Sequence, residues 1–406
     1  MEHVGARLRR WRVRRGLSQR VLAELAGFSQ GYVAQIESGA APLERRAARE
    51  ALARALQISV GELTGRPDDG ASGSPVGPAA IAGLRAGIVA LAVPLVAGTA
   101  EPEPGDVDTA TLDRFYGACR YDLLVPALAE ALGVLASRGA AGGSGPAHLR
   151  SVIEVCATTV ATCVQLGHPD LTLVPAGVAM RTAEQLGEPA HLGLANYARI
   201  RAVGATAGVE RVVDEGIARL HPYVGSDPVT AGSYGMHHLI RAETAARAGR
   251  AAVAAAHLDE AARVAAHTGE RPDDWFSFGP TNVEMWRLAI LVALGDGPAA
   301  GAPPPGFRPE ALPSAQRRAT YFIDLARALL QGRGRDDAAA AALYRAETIA
   351  PQQVCASDGA RQALRTLLSR PRYGRDGRLR GLAARAGSWP RPDGLLSGTP
   401  RRCRSG

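Results

Sequence analysis

Lysine is absent from the 406 residues, so the whole basic complement is arginine. With abundant Ala and Gly this reads as GC-rich coding, and arginine content by itself carries no functional message. Cysteine is scarce and odd in number (Cys119, Cys156, Cys163, Cys355, Cys403), without CxxC or His-paired spacing. That excludes a disulfide framework and a zinc-ligand pattern, and fits reduced thiols in helix cores of a cytoplasmic protein. No metal and no cofactor are expected. No apolar run follows "MEHVGARLRRWRVRRG", so a signal peptide is not read here. The most membrane-like stretch, 79–98, is broken by Arg85 and Pro94, short of the roughly 20 apolar residues a bilayer needs. It reads as a buried linker helix, and no membrane partner is expected. GxSxG, HExxH and phosphate-cradling glycine loops are missing, so the chain is not read as an enzyme.

Charge is distributed unevenly. Residues 1–66 hold 12 Arg against 6 acids, residues 370–406 hold 10 Arg against 2, and the middle is net acidic. A concentrated basic N-terminal region is the footprint of a polyanion binder. Counted from Gln19, the small or apolar residues Ala23, Gly27, Val33 and Ile36 follow at offsets of 4, 8, 14 and 17. Two short helices meeting at a sharp angle require that set: Ala23 permits close approach, Gly27 supplies a positive φ, and Val33 and Ile36 pin the second helix. Ser18 and Ser29 stand where a side-chain oxygen can cap each helix start. Further helices are predicted over 6–16, 43–58 and 60–65, giving five in all.

The stretch "GLSQRVLAELAGFSQGYVAQIESGAAPL" resembles the phage-repressor-like, XRE-type helix-turn-helix family. The resemblance implies that the second helix of the motif lies in the major groove of double-stranded DNA, with Gln30 and Gln35 at base edges and Gln19 on a phosphate. Gln suits the role, because it can pair in bidentate fashion with adenine. Arg10, Arg14, Arg45 and Arg46 flank the motif and are the expected phosphate contacts, giving affinity without sequence choice.

Residues 67–108 read as a linker containing the apolar helix, and 109–370 as all helix, with no convincing alternating strand. A faint repeat of small–x3–large–x2–small or aromatic appears at Ala176/Met180/Ala183, Gly216/Leu220/Tyr223, Ala254/Leu258/Ala261 and Ala339/Leu343/Ala346. Its spacing resembles tetratricopeptide-like repeats, which implies an α-solenoid of degenerate helix pairs with a concave face. The stretch 295–312 lacks a second helix. Residues 371–406, rich in Arg, Gly and Pro, read as a disordered tail.

In a chain with two Asn and few aromatics, "DDWFSFGPTNVEMWR" (273–287) concentrates Trp275, Phe276, Phe278, Trp286 and Asn282. Either this is a buried corner between helix pairs, or Trp275, Phe278, Asn282 and Trp286 form an effector site with Asn196 as a second polar contact. The overall expectation is an all-α, bacterial, homodimeric transcription regulator whose repeat domain senses a peptide, small molecule or protein. The alternative is a DNA-tethered interaction scaffold without a small effector.

Overall fold

The computed structural model describes residues 4–41, 43, 46–56, 63, 76–93, 107–140, 142, 145–204, 206, 208–300, 307–374 and 376–387. Among them there are helices and turns but no strand.

Four N-terminal helices, α1 (Val4–Arg14), α2 (Gln19–Ala26), α3 (Gln30–Ser38) and α4 (Arg46–Leu56), surround Leu8, Leu22, Val33, Ile36, Leu52 and Leu56. The helix expected over 60–65 lies outside the described residues except Leu63, which is buried in this same core. Local chemistry sets the boundaries. The Ser18 and Ser29 hydroxyls accept from the Val21 and Tyr32 amides, and Gly27 ends α2 at φ 75°. Helix α1 lies against the end of α3 at Gly5, where a Cβ would stand 1.9 Å from the Ile36 carbonyl oxygen.

The second core begins earlier and ends later than the sequence suggests. Helix α5 (Pro78–Ala92) is no free linker: Ile81, Leu84 and Ile88 pack on α7 (Tyr121–Ala140). By length and composition alone α7 could cross a membrane, yet Leu124, Val125, Leu128 and Leu132 are fully buried within the protein. At the other end, the tail expected from 371 contains α19 (Gly377–Arg385), with Leu379, Leu382, Ala383 and Ala386 buried. These four stand at helical spacing, and the many arginines around them mask the pattern. Residues 388–406 lie outside the described residues.

Between these ends run α6 (Thr109–Gly117), α8 (Pro146–Gln165), α9 (Leu173–Leu186), α10 (Pro189–Val203), α11 (Val209–Leu220), α12 (Pro228–Arg247) and α13 (Ala251–Thr268). They are followed by α14 (Pro280–Leu294), α15 (Ala315–Gln331), α16 (Asp336–Ile349), α17 (Pro351–Ala356) and α18 (Asp358–Leu368). Proline opens six of the helices from α5 onward, where its missing N–H costs nothing.

Helices α8, α10, α12, α14, α15 and α18 touch in succession, while α9, α11, α13 and α16 back them. The small–large–small positions of the sequence fall on these four backing helices and are buried, except Tyr223, which lies exposed in the 3-10 turn after α11. Among the described residues no backing helix lies between α14 and α15. There Gln331 bridges instead, its Nε2 donating to the Val292 carbonyl at 2.9 Å and its Oε1 accepting from the Gly297 amide at 2.6 Å. The inner row then closes on itself. Helix α6 touches both α8 and α15, the Tyr121 hydroxyl donates to Gln353 Oε1 at 2.8 Å, and Gln352 spans the Tyr121 amide and Asp122. Partners more than 230 residues apart thus convert the expected open concave face into a ring.

Candidate functional site

The first candidate surface is the solvent side of α3. At about 100° per residue, Gln30, Gly31, Ala34, Gln35 and Ser38 span an arc of roughly 140°, and Tyr32, Val33 and Ile36 fill the opposite side. Gln30, Gly31 and Gln35 are exposed, while Val33 and Ile36 are fully buried.

This orientation is fixed from beneath by a buried ion pair. Arg12 Nε and Nη2 donate to the two Glu37 oxygens at 2.6 and 2.9 Å, and Arg12 Nη1 reaches the Leu17 carbonyl at 2.9 Å. Gln19 Nε2 also donates to Glu37, at 2.9 Å. Burial would raise the Glu37 carboxyl, but the hydrogen bonds from Arg12 and Gln19 overcome it and hold the group below its ordinary value. Gln19 therefore has one amide hydrogen committed to the interior of the motif, and only its second amide hydrogen could donate to a phosphate. Arg10 is exposed on α1. Arg45 lies outside the described residues, and of Arg14 and Arg46 only the backbone is described.

Residues 3–64 match a protein family described as a helix-turn-helix domain. The N-terminal region is thus a helix-turn-helix DNA-binding domain, and DNA is its partner. No curated protein and no solved structure matched the chain.

The second candidate is the space inside the ring, a cavity of about 840 Å³. Trp275, Asn282 and Trp286, singled out by composition, all line it, with both indoles half-buried. They are delivered by a stapled loop: Glu270 accepts from the Thr281 amide at 2.8 Å, and Arg271 pairs with Asp274. Phe276 packs edge-on against Tyr197, and Trp275 against His191.

Two residues expected at this site belong to the core instead. Phe278 is fully buried over Gly232 and Gly235, where a Cβ on Gly235 would approach its ring to 2.1 Å. Asn196 is likewise interior. Its Nδ2 donates to the Val212 carbonyl at 3.1 Å and meets His237 Nε2 at 3.0 Å. Because His237 Nδ1 stands 2.7 Å from the Ser233 carbonyl, the proton sits on Nδ1 and Nε2 accepts. Gly216 makes room for this pair, since a Cβ there would lie 2.0 Å from Asn196 Nδ2. Buried amides are satisfied by such partners, and Asn196 serves to join α10, α11 and α12.

Asn282 has a structural duty as well. It is fully buried, donates to the Phe276 carbonyl at 2.9 Å, and offers Oδ1 to Arg317 Nη1 at 3.1 Å. Arg317 lines the cavity together with Arg201, Tyr116 and Tyr197. Burial, with a contribution from Tyr197, pushes the Tyr116 phenol up to about 12, so it remains a neutral donor and acceptor. Arg201 and Arg317 were not selected from the sequence as site residues. A signal existed: neither has an acid three or four residues away, whereas the nearby Arg247 and Arg327 pair with Glu243 and Asp324.

Proposed function

We infer that the chain is an XRE-type, sequence-specific transcription regulator of the bacterial cytoplasm whose C-terminal ring holds an effector. In this reading Gln30 and Gln35 read base edges, while Gln19, Arg10, Arg14, Arg45 and Arg46 contact the backbone. The observation that carries it is the exposed polar side of α3, held outward by the Arg12–Glu37–Gln19 cluster. The alternation of inner and backing helices supports a degenerate tetratricopeptide-like solenoid as the origin of the ring.

A single helix-turn-helix domain reads a short half-site, so a homodimer on a two-fold symmetric operator follows. Val89 of α5, Val93 at its C-cap and Leu123 of α7 are exposed apolar side chains outside the first domain, suited to such a contact. The cavity has the size of a small-molecule site and a mixed aromatic and polar wall, which supports binding of an effector rather than chemistry on one.

The test is selection of bound sequences from a random DNA pool, followed by comparison of Gln35→Ala with wild type. Gln35→Ala should lose about 1–3 kcal/mol on the selected site and relax its sequence preference. Equal loss on selected and random DNA would remove Gln35 from base readout. Operator affinity that no small-molecule extract alters, combined with stable capture of one protein partner, would favour the scaffold reading.

A further inference from the structure

We propose that the central cavity takes a small organic anion, a carboxylic acid with a flat apolar body, whose charged group is received by Arg201 and Arg317. This rests on the reading of the cavity as an effector site and names the chemistry of its occupant.

The inference starts from charge left over. Glu243 neutralises Arg247 at 2.8 Å, and Asp324 neutralises Arg327 at 2.8 Å. Among the described residues Arg201 and Arg317 have no carboxylate in ion-pair range, and the Arg201 Nε is buried without a hydrogen-bond partner. Arg317 has one fixed bond, from Nη1 to Asn282 Oδ1 at 3.1 Å, which orients its guanidinium and leaves the other donors open. Arg318 beside it also lines the cavity and carries a buried Nε without a partner.

Guanidinium groups drawn from water without a counter-charge destabilise a fold, and a protein retains them where a ligand supplies the missing anion. A planar fork matched to two oxygens is the preferred arginine partner. The rim selects among anions. Of the exposed charged lining residues, Arg247 and Asp358 are already paired, with Glu243 and Arg361, which leaves Asp113 and Asp273 against Arg114. A dianion such as a phosphate monoester meets about twice the repulsion there that a monocarboxylate meets. Trp275, Trp286 and Tyr197 provide aromatic faces for the apolar body.

The experiment uses the full chain and three probes sharing one ring system: 1-naphthoate, its neutral carboxamide, and 1-naphthyl phosphate. Binding is followed by calorimetry and by quenching of tryptophan fluorescence. Naphthoate should bind about tenfold or more tighter than the amide, and Arg201→Met or Arg317→Met should remove that advantage while leaving amide binding in place. A second measurement separates a ligand residue from a structural one: without ligand, Arg201→Met should melt no lower than wild type, because the lost guanidinium has a buried Nε without a partner and its attracting carboxylate, Glu243, is already bonded to Arg247.

Equal binding of acid and amide overturns the anion inference and leaves the effector cavity standing. Tighter binding of the phosphate ester overturns the carboxylate assignment. Failure of every probe at millimolar concentration, with Arg201→Met melting lower than wild type, overturns both the inference and the effector reading.

Discussion

Replacing Arg12 by Met should unfold much of the N-terminal domain while leaving the ring intact. Glu37 is 3% exposed at its side chain and accepts from Arg12 twice and from Gln19 once. Removing Arg12 strands that carboxylate, and breaking one partner of a buried pair costs about 3–5 kcal/mol. A domain of some 60 residues has only about 3–9 kcal/mol in total at the usual stability per residue. The single substitution therefore consumes most of the stability. Arg12→Met combined with Glu37→Leu removes both charges and should recover to within about 1 kcal/mol of wild type, since a buried pair exchanged for apolar groups is often neutral. Hydrogen–deuterium exchange on the full chain resolves the outcome locally: α1 to α3 should lose protection in the single variant, regain it in the double, and α12 should not change. Full protection in Arg12→Met, or a double variant no better than the single, would refute the reasoning. Acid should mimic the single variant. The Glu37 carboxyl is held below its unfolded value, so its contribution is present above the ordinary carboxylate range and lost as pH falls through the folded value.

Three further outcomes follow from the same geometry. Burial lowers His237 from 6.5 to about 4, so its neutral form contributes stability above the unfolded value that is lost as pH falls. His237 should contribute roughly 2 kcal/mol to the loss of ring stability in urea between about pH 7 and pH 5, beside His238, which burial also lowers to about 4, and His237→Gln should reduce the slope without abolishing it. Gly31 has open space where a Cβ would go, so Gly31→Asn should leave the melting temperature nearly unchanged yet alter the selected DNA sequence. An unchanged preference would place Gly31 away from the bases. Gly235→Val should displace Phe278 and destabilise the ring by about 1–3 kcal/mol, as overpacking does, measurable by urea denaturation; a wild-type midpoint would contradict the close packing.

Local chemistry was enough to read the N-terminal domain. Ser18, Ser29 and Gly27 act within one helix turn of their own positions, and Val33 and Ile36 turn into the core shared with Leu8, Leu22 and Leu52 as their spacing suggests. The rarity of Asn and Trp likewise pointed to the segment carrying Trp275, Asn282 and Trp286, because a scarce residue type stands out without any knowledge of its neighbours. The same rarity misled for Asn196, and proximity on the chain for Phe278, because their partners Val212, His237 and Gly235 lie on other helices. A low apolar content and abundant arginine hid α19 in the apparent tail.

What the tertiary structure alone decided is the closure of the ring. Tyr121 meets Gln352 and Gln353 across more than 230 residues, and α6 bridges α8 to α15. No periodicity encodes such a meeting, since it depends on the small rotation added at every helix pair and on the join of α14 to α15, where Gln331 bridges to Val292 and Gly297. Arg201 and Arg317 acquire their significance only there: along the chain each is one arginine among 47, and inside the closed ring each lines the cavity without a carboxylate in ion-pair range.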